Sequence, residues 1–229
     1  MKTLGIIGGL GPESTVDYYK LIVAAYREQT NGGYSPIVIN SVDLNRVRDL
    51  VTANALAELT EYLVAEVQRL QRAGADFGLL AANTPHVVFD DLRGRSPIPL
   101  ISIVEATCDA AKALDLNRLA LLGTRFTMQG RFFWDVFARS GLTLVAPVPE
   151  EQEYIHNKYM DELVNGIFLP ETRDRLLGIV SRLKEQARVD GVILGGTELP
   201  LLLRHAPAQD IPFLDTAQIH VKAALLQML

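Results

Sequence analysis

Ala81-Ala82-Asn83-Thr84-Pro85-His86 and Gly195-Gly196-Thr197-Glu198-Leu199-Pro200 each follow a short aliphatic run, and each passes from small residues to a threonine. The pattern describes the same event twice: a buried parallel strand hands over to a loop. In an open α/β sheet this end of the strands is where ligands settle. The two segments read as two halves of one site. Neither carries a thiol, imidazole or amine in the position best placed to move a proton.

Working outward, Thr3 to Gly8 reads as a strand that ends in Gly8-Gly9-Leu10-Gly11-Pro12, and Glu13 to Thr30 carries the apolar spacing of a helix through Val16, Tyr19, Leu21, Ile22 and Val23. A strand over Pro36 to Ser41 leads to a helical stretch from Leu56 to Ala73. Gly74-Ala75-Asp76 then introduces the strand Phe77 to Ala81. After Pro97 and Pro99 come a strand over Leu100 to Val104, a helix holding Cys108, and a strand over Arg118 to Leu122 ending in Gly123-Thr124. Phe132, Phe133, Trp134 and Phe137 suit a packed helix. A strand over Leu142 to Ala146, a helix over Thr172 to Arg188 and a strand over Val192 to Leu194 follow.

Strands alternating with helices imply parallel sheets. Lys2 to Gly8 matches Arg118 to Gly123, and Asp76 to Thr84 matches Asp190 to Thr197. The expected architecture is therefore α/β: two pseudo-symmetric Rossmann-like lobes with parallel sheets and a ligand cleft between them. The first lobe takes residues 1–99 plus 211–229, because the strand and helix from Ile211 to Leu229 are expected to return to it. The second takes 100–210.

Composition narrows the function. The chain has 229 residues, 48% of them hydrophobic and 21% charged, with a net charge of −5 and basic residues scattered among acids. That balance disfavours nucleic acid and anionic membranes and suits a small neutral or zwitterionic ligand. The apolar part of the first residues is too short for a signal peptide, and no apolar run approaches the ~20 residues of a membrane span, so the expected location is cytoplasmic. A single cysteine, Cys108, excludes an intrachain disulfide and a multi-cysteine metal site. It sits among small residues at helical spacing and reads as buried and structural.

Four motifs in order carry a family resemblance: Gly8-Gly9-Leu10-Gly11-Pro12 with Thr15, Asn83-Thr84-Pro85-His86, Gly123-Thr124-Arg125-Phe126-Thr127 and Gly196-Thr197-Glu198. Together they resemble the aspartate/glutamate racemases. The resemblance implies two pseudo-symmetric α/β domains enclosing an amino-acid or small carboxylate substrate, no cofactor, a homodimer, and two cysteines that exchange the α-proton from opposite faces. Those cysteines belong immediately before Asn-Thr and before Thr-Glu. Here the positions hold Ala82 and Gly196, so the two-cysteine mechanism does not carry over. A positioned general base contributes roughly 10²- to 10⁴-fold to such a reaction, and neither residue offers one.

The resemblance gives substrate-binding roles to Asn83, Thr84, Thr124, Thr127, Thr197 and the amides near Gly11. The plainer reading is that these Asn and Thr side chains cap helices; both can hold, because a helix start is itself an anion site. Glu198 and His86 are the ionisable residues nearest the missing thiols and the candidate acid–base groups. For each the alternative is a structural hydrogen bond. Arg48, like Arg46, follows the second strand and could grip a substrate carboxylate through two parallel hydrogen bonds, or simply face solvent. His156, His205 and His220 are dispersed and make no metal-ligand spacing, so no metal is expected. The Gly-x-Gly-x-x-Gly pattern begun by Gly9 and Gly11 fails at Ser14, which argues against a nucleotide cofactor. Two functions remain: a cofactor-independent isomerase, racemase or related decarboxylase or lyase working without thiols, and a catalytically silent protein that binds or senses a small carboxylate. The homodimer, if formed, has apolar helix faces around Val16 to Tyr26 to draw on.

Overall fold

A strand with neighbours on both sides of a covered sheet must bury both of its faces, and Leu4-Gly5-Ile6-Ile7-Gly8 meets that demand with no polar side chain. In the computed structural model, which describes residues 1–204 and 210–229, this segment is β1 (Leu4–Gly8), buried throughout. It is followed by α1 (Pro12–Gln29), β2 (Ile37–Ser41), α2 (Leu44–Thr52), α3 (Leu56–Arg72), β3 (Phe77–Leu80), a 3-10 turn (Thr84–Val88), α4 (Phe89–Arg95), β4 (Leu100–Ile101) and α5 (Ile103–Ala113). The second run is β5 (Arg118–Gly123), α6 (Arg125–Gln129), α7 (Arg131–Arg139), β6 (Thr143–Val145), α8 (Pro149–Asp161), a 3-10 turn (Leu163–Asn165), α9 (Pro170–Ala187), β7 (Gly191–Gly195), α10 (Leu199–Leu203), β8 (Phe213–Asp215) and α11 (Thr216–Met228).

Two four-stranded sheets result, in the orders β2-β1-β3-β4 and β6-β5-β7-β8, with every pairing parallel. The α/β class and the doubled arrangement expected from the sequence are both present. The chain divides into Met1–Ile103 with His220–Leu229, and Val104–Ile219.

The same device fixes the start of the central strands in each unit. In the first, Thr3 N–H donates to the Asp76 carboxylate (2.7 Å) and Asp76 N–H donates to Thr3 O (2.9 Å). In the second, Asn117 and Arg118 N–H donate to the two Asp190 oxygens (2.8 and 3.0 Å), and Asp190 N–H donates to Arg118 O (2.8 Å). Each aspartate sits one residue before its strand region and sets the register between neighbours. Helices then cover the sheets with single faces: α1 buries Ser14, Tyr18, Ile22 and Tyr26 at intervals of four, with Pro12 pre-setting its first turn. In the second unit α9 buries Leu176, Ile179, Val180 and Leu183 in a core shared with Leu122, Tyr159 and Leu194. Each such apolar side chain contributes about 1.5–3 kcal/mol when withdrawn from water.

Four details depart from the sequence reading. The strand expected over Leu100–Val104 is only two residues long, and Ile103 already begins α5. Ile211–Leu229 does not return whole to the first lobe: β8 pairs with β7, where Val192, Ile193 and Leu194 face Phe213, Leu214 and Asp215, so the strand stays in the second unit. The division falls inside α11, and the chain crosses between units at 103/104 and not near 99. The helices α2 and α8 had no counterpart in the periodicity reading.

Candidate functional site

At the carboxyl end of β1 the chain turns through Gly9, whose φ of 76° is left-handed and where an added Cβ would run into Val42 and Ser41. Thr15, one turn into α1, reaches back: Gly9 N–H donates to its Oγ1 (2.8 Å), and the hydroxyl donates to Gly11 O (3.3 Å). Gly11, with φ 154°, precedes Pro12 at the helix start and supplies no side-chain cap.

After β3 come Ala82 and Asn83, both buried, then Thr84, partly buried, which opens the 3-10 turn. His86 in that turn is buried, and both ring nitrogens are occupied. Ile103 N–H donates to Nε2 (3.2 Å), so Nε2 is the acceptor and Nδ1 carries the proton that it donates to Ala82 O (3.0 Å). The ring stacks on Phe89, with centroids 4.7 Å apart and planes 9° from parallel. A second buried histidine from α11, His220, has the opposite tautomer. Its Nε2–H donates to Ile101 O (3.0 Å), and its Nδ1 accepts from the Tyr18 hydroxyl (2.9 Å). Burial pushes His86 down to about 3, helped by the nearby His220, and burial likewise pushes His220 down to about 4. Both are neutral at neutral pH.

The corresponding end of the second unit is built differently. Thr124 caps α6, its Oγ1 accepting from Thr127 N–H (3.3 Å) and lying 3.3 Å from the Thr127 hydroxyl, both threonines being buried. After β7, Gly196, Thr197 and Glu198 are buried as well. Glu198 Oε2 accepts from the Tyr159 hydroxyl of α8 and from Thr197 Oγ1 (3.2 Å). Burial, followed by the Glu198 charge, raises Tyr159 well above the ordinary phenol value, so the proton stays on the phenol and the carboxylate accepts it as a hydrogen bond. The Tyr159 ring lies against Gly196, where an added Cβ would stand 2.8 Å from the hydroxyl oxygen and 2.9 Å from Cζ.

Thus Asn83, Thr84 and His86 gather at the end of β3, and Thr124, Thr127, Thr197 and Glu198 gather at the ends of β5 and β7. Arg48 lies half-exposed on α2, 3.6 Å from Asp49, while Arg46 stacks over Tyr62 at 4.2 Å. Cys108 is buried in α5. His156 is partly buried on α8, its Nδ1 accepting from Arg125 N–H (3.3 Å), and burial lowers it too; His205 lies outside the described residues. Among the described residues no group of three His, Cys, Asp or Glu could hold a metal, and no helix is long and apolar enough to cross a membrane. Sequence reading missed Tyr159, Tyr18 and the role of His220. One signal did exist for the first: a glycine at a strand end marks the close approach of something else.

Comparison with known proteins agrees with this fold. A solved structure of an aspartate racemase homologue from Pyrococcus horikoshii OT3 is 31% identical and superposes with a TM-score of 0.85, covering 100% of this chain and 99% of that one. The broad specificity amino-acid racemase RacX of Bacillus subtilis (strain 168) is 23% identical over 97% of this chain and 96% of its own length. Glutamate racemase from Francisella tularensis subsp. tularensis SCHU S4, solved in complex with D-glutamate, shares the fold at 13% identity and a TM-score of 0.64, over 99% of this chain and 80% of that one. Residues 7–224 match the Asp/Glu/Hydantoin racemase family as a whole. With the doubled sheet and both strand-end motifs in place, the chain belongs to the Asp/Glu/Hydantoin racemase family.

Proposed function

We propose that this protein binds an amino acid or small carboxylate and acts on its α-carbon without a cofactor and without the two-thiol mechanism, using Glu198 for proton transfer. The observation that carries this reading is the Tyr159–Glu198 hydrogen bond beside Gly196, a buried carboxylate held where the family resemblance places a thiol's neighbour. In the reaction the Glu198 carboxylate takes the α-proton; the C–H bond breaks, an O–H bond forms, and the electron pair passes into the substrate carboxylate as an enediolate. In the unit of Glu198, Thr124, Thr127 and Thr197 are the proposed donors to the ligand's charged groups and the developing charge, and in the first unit Asn83, Thr84 and the amides at Gly11 are the proposed polar donors, as preorganised donors act. An amino-acid ligand is supported by the relative RacX, a broad specificity amino-acid racemase.

Proton transfer is one-sided in this reading. Ala82 carries no acid, and the two nitrogens of His86 are committed to Ile103 and Ala82. A single group removes the proton and returns one to the same face, so exchange proceeds with retention. Incubation in D₂O with L- and D-aspartate and glutamate, followed by NMR and chiral chromatography, tests it. Deuterium entering the α-position of one enantiomer without inversion is expected, and inversion at the exchange rate would show a second acid. We place the protein in the cytoplasm as a homodimer, with Val16 and Tyr19 exposed on α1 while Tyr18, Ile22 and Tyr26 are spent on the core. A silent binding protein is the second reading, favoured by the burial of Glu198, which is only 2% exposed. Saturable binding with no exchange supports it.

A further inference from the structure

Any residue but glycine at 196 begins with a Cβ, and that atom would overlap the Tyr159 ring. The ring has little room to retreat. Tyr159 is 6% exposed, packed in the core with Leu163, Leu176 and Leu199, and its hydroxyl is engaged by Glu198.

We infer that Tyr159 and Gly196 are a matched pair: the ring fills the room of a side chain at 196, and the phenol makes Tyr159 the positioning residue for the Glu198 carboxylate. The second strand end is then a thiol site rebuilt around a tyrosine–glutamate pair. This inference rests on Glu198 as the proton-transfer group of the function proposed above. Tyr159 faces Glu198 from α8, and Thr197 faces it from the same turn. Tyr159 donates its hydroxyl throughout and is neither deprotonated nor oxidised. Its hydrogen bond favours the ionised carboxylate, which keeps the base ready to accept a proton.

Two measurements test the pair without relying on activity. The first is a thermal-melting cycle over positions 159 and 196. Gly196→Ala should lower Tm by about 5 °C in the wild-type background, as overpacking of a filled core does in a chain of this size, and by about 1 °C or less beside Tyr159→Leu, which removes the ring. Tyr159→Phe keeps the ring, and the full penalty should return there. The second is a ¹³C NMR titration of the Glu198 carboxyl, assigned by its loss in Glu198→Gln. In Tyr159→Phe its midpoint should rise by about one pH unit, the loss of one hydrogen bond to the charged form. Gly196→Ala costing the same with or without the ring overturns the pairing, and a midpoint unmoved by Tyr159→Phe overturns the positioning role. Should Tyr159→Leu fail to fold, the Tm of Gly196→Ala alone and the Tyr159→Phe titration still decide. Absence of α-proton exchange in the wild type would strike the proposed reaction and leave both readouts intact.

Discussion

The two units repeat one plan and finish it differently. Both sheets have the same strand order, and both clamp their central strands with an aspartate, Asp76 or Asp190. At the end of β3, however, the ionisable group is a neutral histidine with each nitrogen tied to backbone. At the end of β7 it is a carboxylate held by a phenol. The contrast teaches that one plan, repeated, leaves the polar group at each strand end free to be held in its own way. One end is sealed with backbone hydrogen bonds, while the other keeps a group that can carry charge.

The comparison breaks most readily at Glu198. Glu198→Gln should reduce α-proton exchange by about 10²- to 10⁴-fold, measured by NMR in D₂O, and undiminished exchange would remove the second unit's distinction. His86→Asn should leave exchange in the folded protein while lowering stability by about 2–5 kcal/mol in urea melts, because Ile103 N–H and Ala82 O lose the ring that bridges them. Loss of exchange in a folded His86→Asn protein would instead give the first unit a chemical role.

Acid sharpens the contrast. His86 and His220 titrate near 3 and 4 when folded against 6.5 when unfolded, so their neutral forms support the fold fully above about pH 6.5. As pH falls from 6.5 toward 4 the unfolded chain takes up protons that the folded one refuses, and stability drops by about 1.4 kcal/mol per pH unit for each histidine. Amide hydrogen exchange at about pH 5 should therefore show the first unit losing protection before the second. The smallest effect concerns what the units share: Asp76→Ala and Asp190→Ala should each cost about 1 kcal/mol, or roughly 2–4 °C in Tm, and nearly equally.

Much of this architecture is visible along the chain. Aliphatic runs such as Leu4–Gly8 and Val192–Leu194 have to be central strands, and the small residues that end them mark the loops. Short-range pattern also places the Asn83-Thr84 and Thr197-Glu198 turns. It does not reveal Tyr159, which lies 39 residues before Glu198 on a helix opening with Pro149, Glu150 and Glu151, the mark of a solvent-facing segment. It does not reveal the tautomers of His86 and His220 either, because those are set by carbonyls and amides from β4 and α5. The end of β4 escaped for a related reason. Leu100 to Val104 is apolar enough for either a strand or a helix start, and tertiary packing chose a helix from Ile103.

His220 belongs to the first unit by contact and to the far end of the chain by position. A ribosome adding about 5–20 residues per second delivers residues 1–103 roughly ten seconds before that ring arrives. The Tyr18 hydroxyl and the Ile101 carbonyl must wait for it, while Val104–Ile219 emerges as one uninterrupted stretch. Of the two units, the one whose larger part is made first is thus the one finished last.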